Sequence, residues 1–561
     1  MDAITLTQYS FALKAKHNPT HRFGDLYHLV CQREWIEYAL SQILANEGAR
    51  TAGVDGVTRK DFQDPAYRED FINDLQAELK SRAYQPTPVR RQWIPKPNGG
   101  QRPLGICIIR DRVVQMLLKL LLEPIAESDF LECSYGFRPG RRTMDGIGIC
   151  RRYIQRGSKY YWVIEGDIRG CFDKIRHDHL MEIIQQRIAD RPVLHLIERF
   201  LKAGVLEGEW YAPTHEGVPQ GSVVSPLLAN LYLHQFDLWW WHTYGSLTTR
   251  EKTQRRESHQ ANCRLVRYAD DWLLLTNGTH TQAEELRDEA GQVLRANLGL
   301  ELNREKTHIT HAQDGFDFVG FHLQWLTPPH RDPWLRVTPT AGNLERFKTK
   351  IRQMTNQQQM SDPYLKLLAL NRILQGWIAY YRHANVKDIA HKLDWWVYRR
   401  FTHWLSHHHR WGVRQVLATY EHQQYARRKN LAVCNEDGRL VYLYRMSDLP
   451  LTPYRTRNYP NPYLNAELPM TQVAEETHEP LQPTAWQGGS RHAEWQELRR
   501  QILQRDGYTC QHCGSTNQLE VHHIQARHKG GTDTPDNLIT LCADCHIQDD
   551  AYRAQFGAQS K

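Results

Sequence analysis

Two adjacent carboxylates, Asp270 and Asp271, stand in the middle of an otherwise apolar run, RYADDWLLLT at residues 267–276. Ionised groups placed side by side repel each other, and burying them without compensation is costly. A multivalent cation would provide that compensation, so the pair indicates a metal site. The alternative is a solvent-exposed turn, because Asp is a common turn residue, and the pair alone leaves both open.

A third carboxylate, Asp167, stands upstream in WVIEGDIRGCFDKI, at the end of a β-type run. A strand would stop there and project the side chain over the edge of its sheet. Together with Asp270 or Asp271, Asp167 could hold two divalent cations, and oxygen ligands favour Mg²⁺. Two such ions could activate a 3′-hydroxyl and stabilise a leaving pyrophosphate. These aspartates therefore indicate nucleotidyl transfer.

A polymerase must also bind a nucleoside triphosphate, and three further motifs supply suitable groups. IPKPNGGQRPLGI places Lys96 and Arg102 on either side of a Gly-rich turn, suited to closing over phosphates, although a basic surface hairpin would have the same sequence. GVPQGSVVSPLLANLYL places Gln220 in a turn where the backbone and the amide can approach a nucleotide. Phe172, five residues after Asp167, could lie beneath the incoming sugar and clash with a 2′-hydroxyl. We therefore expect a preference for deoxynucleotides.

Four cysteines near the C-terminus form two CxxC pairs, Cys510 with Cys513 and Cys542 with Cys545. The other seven cysteines are scattered singly, which fits buried thiols in a reducing compartment. In such a chain the pairs favour a closed, tetrahedral structural Zn²⁺ site over disulfides or redox chemistry. Zinc bound by four thiolates has no free position, so it should stabilise the fold, and catalysis must come from residues between the pairs.

The elements that must position these residues follow from the local patterns. Amphipathic periodicity predicts helices at 26–50, 67–84 and 110–127, and RRQWIPKPNGGQRPLGI predicts two strands around a turn. From 160 to 325 β-type runs alternate with helical ones, and after about 340 the chain is expected to be mostly helical. Residues 465–490 mix Pro, Gln, Thr and Glu without period, which is typical of a linker.

The net charge is +8, from 71 Lys and Arg against 63 Asp and Glu, and cations cluster with aromatics, as in GFRPGRR and YRRFTHW. Phosphate pairing and base stacking would use that mixture, although solvated helix faces with buried aromatics explain any one cluster. The sequence shows neither a signal peptide nor an apolar run suited to spanning a membrane. We expect a cytoplasmic protein with no membrane partner.

Seven motifs follow one another along the chain: PKPNGGQRPLGI, CSYGFRPGRR, EGDIRGCFDKI, GVPQGSVVSPLLANLYL, YADD, LNREKT and FVGF. This ordered set resembles the reverse transcriptase encoded by bacterial and organellar group II introns. TAGVDGVT upstream and LNRILQGWIAYYR downstream resemble the extra N-terminal block and the maturase segment of that family. The resemblance extends from about residue 20 to residue 400.

The resemblance implies a role for each residue of the polymerase site. The implied metal ligands are Asp167, Asp270 and Asp271, and the implied nucleotide-binding residues are Lys96, Arg102, Phe172, Gln220 and, near the phosphates, Lys306. It also implies that the helices after residue 340 bind structured intron RNA by shape and phosphate contacts. Aromatic residues at helical spacing are equally compatible with a plain helical core.

Between the two CxxC pairs lie His522, His523 and Asn537, and His546 follows the last cysteine. Their arrangement resembles the HNH endonucleases of the ββα-metal type. The resemblance implies that His523 is a general base that activates water and that His522 and His546 bind one divalent cation near the scissile phosphate. Asn537 would orient the base or join the metal shell.

Together these observations predict a multidomain α+β chain. The expected domains are reverse transcriptase fingers and palm at 1–340, an α-helical thumb and maturase domain at 341–445, a DNA-binding segment and linker at 446–490, and a small zinc-bound HNH domain at 491–561. A nick by the nuclease would expose a 3′-hydroxyl that the polymerase extends, copying intron RNA into target DNA from deoxynucleoside triphosphates. The rival interpretations are a maturase that only binds RNA, a template-copying RNA polymerase, and a defence reverse transcriptase.

Overall fold

The computed structural model divides the chain into two compact units, Met1–Thr477 and His478–Lys561. It describes residues 2–95, 100–208, 210–356, 362–425, 428–434, 438–452, 454, 460–464, 498, 501–507, 509, 511, 519–524, 532 and 534–542. At residues 425, 428, 519, 520, 522, 523 and 542 only the backbone is described.

Four helices open the first unit: α1 (Ala3–His17), α2 (Tyr27–Val30), α3 (Arg33–Ala45) and α4 (Pro65–Ser81). The single helix expected at 26–50 is interrupted, because Gln32 takes an extended backbone between α2 and α3, and a short 3₁₀ turn follows α3. The helix expected at 67–84 corresponds to α4. It begins two residues earlier because Asp64 caps its first turn and Pro65 occupies its first position.

Helix α5 (Ile109–Asp129) is buried along most of its length and belongs to the main hydrophobic core. Pro124 lies inside it and has no N–H to donate to the carbonyl of Leu120, four residues earlier. The side-chain amide of Gln8, a buried residue of α1, donates to that carbonyl at 2.8 Å. Helix α1 is therefore fixed to α5 at the point where proline interrupts the helical hydrogen bonds.

Eight strands and six further helices complete the part of the unit before residue 312. The strands are β1 (Val89–Pro95), β2 (Gln101–Ile106), β3 (Trp162–Gly166), β4 (Val205–Glu207), β5 (Trp210–Ala212), β6 (Cys263–Tyr268), β7 (Asp271–Thr276) and β8 (His308–His311). The helices are α6 (Thr143–Tyr153), α7 (His177–Gln185), α8 (Arg191–Lys202), α9 (Ser225–Trp240), α10 (Thr249–Glu257) and α11 (His280–Leu298).

These strands form two four-stranded sheets. The first, which we call the hairpin sheet, has the order β2-β1-β4-β5 and contains the antiparallel β1–β2 hairpin that the sequence predicts. The second, which we call the aspartate sheet, has the order β6-β7-β3-β8 and is antiparallel throughout. Helices α6 and α9 contact β6, and α11 contacts β3 and β8, so that helices cover the sheet from which the aspartates project.

The chain after residue 315 contributes most of a second hydrophobic core, which also includes buried residues of α6 and of the aspartate sheet. Its elements are β9 (Phe316–Phe318), β10 (Phe321–Leu326), β11 (Trp334–Pro339), α12 (Ala341–Met354), α13 (Pro363–Tyr381), α14 (Lys387–His409) and α15 (Val413–Tyr420), then β12 (Glu421–Tyr425), β13 (Arg428–Cys434) and β14 (Leu440–Tyr442). The expectation of a helical domain to residue 445 is correct only as far as α15. Antiparallel pairing of β12–β14 replaces helix there, with Leu431 and Val433 of β13 buried in the same core.

The segment that follows β14 packs back onto helices of the first unit. The main-chain N–H groups of Met446 and Ser447 donate to the carboxylate of Asp394 in α14, at 2.8 and 3.0 Å. Farther on, the buried hydroxyl of Tyr463 donates to Glu123 of α5 at 2.6 Å. Residues 446–448 and 462–464 are thus packing segments, and the linker expected at 465–490 lies outside the described residues.

The described part of the second unit contains an antiparallel strand pair, β15 (Leu519–His523) and β16 (Leu538–Cys542). A 3₁₀ turn, Pro535–Asn537, leads into β16, and the side chain of Arg505 donates to the carbonyls of Pro535 and Leu538. Buried Leu538 and Leu541 give this strand pair a small core.

In the described part of both units, every helix is too short or too polar to cross a membrane.

Candidate active site

Two of the three aspartates lie at a tight hairpin of the aspartate sheet. Strands β6 and β7 pair as far as Tyr268 and Asp271, so Ala269 and Asp270 form a two-residue turn. Ala269 has a φ of 55°, the left-handed conformation that two-residue hairpin turns require. Asp270 therefore lies in the turn and Asp271 begins β7.

Asp167 reaches the same end of the sheet through the register of β3. Gly166, the last residue of β3, pairs with Trp272 of β7, so the next residue, Asp167, follows toward Asp271. A Cβ at Gly166 would lie 2.1 Å from the indole of Trp272, which is only 1% exposed. Only glycine allows that ring to cross β3, and this crossing holds the two strand ends side by side.

The electrostatics of the three carboxyls show incompletely compensated negative charge. Burial raises the pKa of Asp271 to about 6, and the charges of Asp270 and Asp167 add to that shift, while Lys306 and Arg102 oppose it. The side chain of Asp271 is exposed on its open side, yet the protein on its other sides suffices for this effect. Burial raises the pKa of Asp270 as well. A cation is the natural partner of such a cluster.

Asp167 also has protein partners of its own. Its Oδ2 atom accepts hydrogen bonds from Asn303 Nδ2 at 3.0 Å and from Lys306 Nζ at 3.3 Å. The main-chain N–H of Asn303 donates to the carbonyl of Asp167 at 2.8 Å, which fixes the LNREKT segment beside β3. Among the residues that the structure describes, no three His, Cys, Asp or Glu side chains are grouped closely enough to hold a metal ion. The carboxylate chemistry fits a divalent cation, and the cationic partner of Asp167 here is Lys306, whose side chain is 60% exposed.

Two of the expected nucleotide-binding residues are joined by a hydrogen bond. Arg102 Nε in β2 donates to Gln220 Oε1 at 2.7 Å, and the N–H of Gly105 donates to the carbonyl of Gln220 at 2.7 Å. Gly221, with a φ of 102°, lies so close to the hairpin sheet that a Cβ there would be 2.8 Å from the carbonyl oxygen of Gly105. The positive charge of Arg102 opposes part of the rise in the pKa of Asp270, whereas Lys96 lies outside the described residues.

Phe172 lies in a 3₁₀ turn, Cys171–Lys174, directly after Asp167 and its loop. Its carbonyl accepts a hydrogen bond from the N–H of Val218 at 2.8 Å, so the turn is fixed to the segment that contains Gln220. The side chain is 7% exposed and belongs to the main core. A contact with the sugar of a nucleotide must therefore involve the small part of the ring that remains accessible.

A buried ion pair behind the hairpin was not expected from the sequence. Arg267 of β6 is 0% exposed, and its guanidinium donates to both carboxylate oxygens of Asp237 in α9, at 2.7 and 2.5 Å. The same guanidinium donates to Asn230 Oδ1 at 2.9 Å and to the carbonyl of Ala269 at 3.0 Å. Arg267 therefore anchors the turn that carries Asp270. The signal that could have revealed it is an arginine inside an apolar strand.

The CSYGFRPGRR motif supports the same hairpin from the other side. The N–H of Arg267 donates to the carbonyl of Cys133 at 2.7 Å, and the N–H of Tyr135 donates to the carbonyl of Arg267 at 2.8 Å. A Cβ at Gly136 would lie 2.4 Å from the amide nitrogen of Ala269. Gly136 is thus required by its close contact with the turn that carries Asp270.

In the second unit, the strand pair brings His523 and Asn537 to one end of the ladder. His523 pairs with Leu538, the residue after Asn537, and His522 pairs with Ile539. The Asn537 amide donates to the carbonyl of Thr532 at 3.0 Å, and its own carbonyl accepts from the N–H of Ile524 at 2.8 Å. Other expected site residues, or their side chains, lie outside the described part: the side chains of His522, His523 and Cys542, and residues Cys510, Cys513, Cys545 and His546.

Three family models match successive parts of this chain. The model described as reverse transcriptase (RNA-dependent DNA polymerase) matches residues 94–323, which include every described residue of the aspartate site. The group II intron, maturase-specific domain matches residues 344–420, and the HNH endonuclease model matches residues 510–550.

Curated relatives are similar to this chain over more than half of its length. Protein YkfC of Escherichia coli (strain K12) is 39% identical over 342 residues, which cover 57% of this chain and 88% of that protein. The group II intron-encoded protein LtrA of Lactococcus lactis subsp. cremoris is 31% identical over 356 residues, 55% of this chain and 58% of that protein. This chain belongs to the group II intron-encoded proteins.

A third relative extends the similarity over nearly the whole chain. The putative COX1/OXI3 intron 2 protein of Saccharomyces cerevisiae is 24% identical over 603 aligned positions, which cover 96% of this chain and 67% of that protein. The match to the Lactococcus protein, by contrast, spans little more than half of its length. As a group II intron-encoded protein, the chain combines a reverse transcriptase domain, a maturase-specific domain and an HNH endonuclease domain. The family resemblance drawn from its motifs is confirmed.

Proposed function

We propose that this group II intron-encoded protein carries out target-primed reverse transcription and assists the splicing of its intron RNA. Its HNH domain would nick target DNA, and the exposed 3′-hydroxyl would prime copying of the intron RNA at Asp167, Asp270 and Asp271. The observation that carries the proposal is the placement of these three aspartates at one end of the aspartate sheet. The raised pKa values of Asp270 and Asp271 indicate a site that lacks positive charge.

The proposal implies a right-hand polymerase architecture. The aspartate sheet would be the palm, the hairpin sheet the fingers, and α12–α14 the thumb. The hydrogen bond between Arg102 of the hairpin sheet and Gln220, which precedes α9, supports this assignment, because it joins the two parts that would enclose a nucleotide.

In the polymerase, the three aspartates would hold Mg²⁺, which supplies activation of the primer hydroxyl and stabilisation of the leaving pyrophosphate. Arg102, oriented by Gln220, would pair with the triphosphate, and Lys96 would contact it from the other end of the hairpin. Lys306, released from Asp167, would also reach the phosphates. Phe172 would restrict space beneath the sugar and favour deoxynucleotides.

In the nuclease, His523 would accept a proton from the attacking water, and Asn537 would orient the side chain of His523. The position of both residues at one end of the β15–β16 ladder supports this pairing. His522 and His546 would bind a divalent cation that stabilises the leaving 3′-oxygen. The cysteines at 510, 513, 542 and 545 would bind a structural Zn²⁺ that stabilises the domain.

The experiment is extension of a DNA primer on an RNA template with Mg²⁺ and deoxynucleoside triphosphates. It compares the wild type with the double variant Asp270→Ala, Asp271→Ala, and with Asp332→Ala as a matched control, since Asp332 is an exposed aspartate outside the site. We expect complementary DNA from the wild type and the control and none from the double variant. RNA binding by the double variant should persist, because the change removes only negative charge.

Failure of the wild type to extend the primer would contradict the proposed polymerase activity. If the wild type binds intron RNA tightly but makes no complementary DNA, the polymerase assignment is wrong and the protein acts as a maturase only.

A further inference from the structure

A pocket of about 730 Å³ lies between α12 and α14, and its described lining residues include none of those assigned above to the polymerase or nuclease chemistry. Arg352 and Thr355 line it from the end of α12, and Trp395, Trp396 and Arg399 are among the residues that line it from α14. Its volume lies within the range of 300–1,000 Å³ that is typical of pockets for small organic groups.

The pocket wall on α14 alternates aromatic and cationic side chains along two helical stripes. Residues four apart lie on the same face of a helix, so Trp395 lies next to Arg399, and Trp396 next to Arg400. The Arg399 guanidinium lies 4.8 Å from the centre of the Trp395 ring, and the Arg400 guanidinium lies 5.9 Å from that of Trp396. Such contacts keep the rings and guanidinium groups in fixed stacks.

One of these arginines is held by the end of α12. Arg400 Nε donates to Thr355 Oγ1 at 3.0 Å, and Thr355 is 3% exposed, so this side of the pocket is closed and rigid. Arg352 extends from α12 to within 5.8 Å of the Trp396 ring. Its lining residues in the described part of the chain include three arginines and no carboxylate, and Arg352 alone of the three pairs with a carboxylate, that of Glu345 on α12. The pocket therefore favours an anionic ligand that also has an aromatic surface.

Trp395 differs from the other lining tryptophans in its exposure. Its surface is 61% exposed, whereas Trp404 at the inner end of the same wall is 2% exposed. A large aromatic side chain contributes to stability mainly when it is buried, so a tryptophan held open beside Arg399 gains little for the fold. It is well suited to stack on an incoming ring.

We propose that this pocket binds one unpaired nucleotide of the intron RNA. The base stacks on Trp395, and its phosphate pairs with Arg399 and Arg400. The inference rests on the proposed function in one respect, namely that the chain binds its intron RNA. The pocket lies within residues 344–420, the range matched by the maturase-specific domain, and folded RNA presents unstacked bases in bulges and loops. Because stacking accepts any base, the pocket detects an unpaired nucleotide rather than a sequence.

The test uses two fluorescein-labelled hairpin RNAs of equal length, one fully paired and one with a single bulged nucleotide. The full-length wild type should bind the bulged hairpin more tightly than the paired one. Trp395→Ala should weaken binding of the bulged hairpin by roughly 5- to 150-fold, the range measured when a base loses its stacking partner, and should leave the paired hairpin unchanged. Trp395→Phe should keep the preference, because the ring is retained.

Trp241→Ala is the matched control, since Trp241 is a partly exposed tryptophan, 39% accessible, outside the pocket; its affinities should equal those of the wild type. Equal binding of both hairpins by the wild type, or an unchanged preference in Trp395→Ala, would overturn the proposal. If the affinity for a bulged DNA hairpin depends on Trp395 as strongly as the affinity for the bulged RNA does, the pocket binds DNA instead. Primer extension by the wild-type preparation tests the proposed function separately, so the two failures are distinguishable.

Discussion

Removal of the Asp237 carboxylate should reveal how strongly the buried ion pair supports the catalytic turn. In Asp237→Ala the guanidinium of Arg267 loses two of its four hydrogen bonds and its only counter-charge at contact distance among the described residues, while remaining 0% exposed. Breaking a buried pair by removing one partner costs about 3–5 kcal/mol, because an uncompensated charge stays in the interior. A domain typically has about 5–15 kcal/mol of stability in total.

The assay is thermal unfolding of the full chain, followed by primer extension below the transition. At about 2 °C per kcal/mol for a large cooperative unit, the melting temperature of the variant should fall by roughly 6–10 °C. Extension should also fall at temperatures where the variant is folded, because the guanidinium holds the carbonyl of Ala269 beside Asp270. Asp288→Ala is the control. Asp288 pairs with Arg287, but this pair is at the surface, so its loss should lower the free energy of unfolding by only about 0–1 kcal/mol.

Acid should reproduce part of this effect in the wild type. Burial alone would raise the pKa of Asp237, but Arg267 holds it below its ordinary value of 3.8. A lowered pKa in the folded state stabilises the protein above the ordinary value, and that stabilisation is lost as the pH falls through the folded-state value. A melting temperature of Asp237→Ala within one or two degrees of that of Asp288→Ala at neutral pH would contradict the stabilising role of the Asp237–Arg267 pair.

Three further changes test other parts of the molecule. Gly166→Ala should lower the free energy of unfolding by about 1–3 kcal/mol and abolish primer extension, because the added Cβ would overlap the buried Trp272 ring and separate β3 from β7. The melting temperature and primer extension should therefore fall together. Phe172→Val should lower the ratio of kcat/KM for deoxynucleotides over ribonucleotides, and an unchanged ratio would remove its proposed role at the sugar. Cys513→Ser should abolish zinc binding and DNA nicking while primer extension survives, which metal analysis and strand-specific nicking would show; simultaneous loss of both activities would contradict independent domains.

The parts of the fold that the sequence predicts well are those with local signals. The β1–β2 hairpin and α5 follow from turn residues and periodicity within a few neighbouring positions, and the Ala269–Asp270 turn follows from two polar residues inside an apolar run. The prediction of helix after residue 340 is wrong from β12 onward. Strand β12 is stabilised by antiparallel pairing with β13, and local periodicity does not reveal such a partner.

The contacts that complete the site join residues distant in sequence, and local patterns do not reveal them. Asp237 and Arg267 are 30 positions apart, and Asp167 and Lys306 are 139 positions apart. The motifs identify Lys306 as a residue near the nucleotide, but its contact with Asp167 depends on how the LNREKT segment returns beside β3. The pocket of Trp395 likewise depends on the packing of α12 against α14.

The contact between Gly136 and Ala269 limits how such proteins can be recombined. Residues 133–136 and 267–269 share two main-chain hydrogen bonds and an approach that leaves no room for a Cβ at 136. A chimera that takes one segment from a distant relative and keeps the other would have to preserve both backbone paths at once. These two segments, far apart along the chain, therefore form a single unit of exchange, and crossover points for engineered hybrids should lie either before residue 133 or after residue 269.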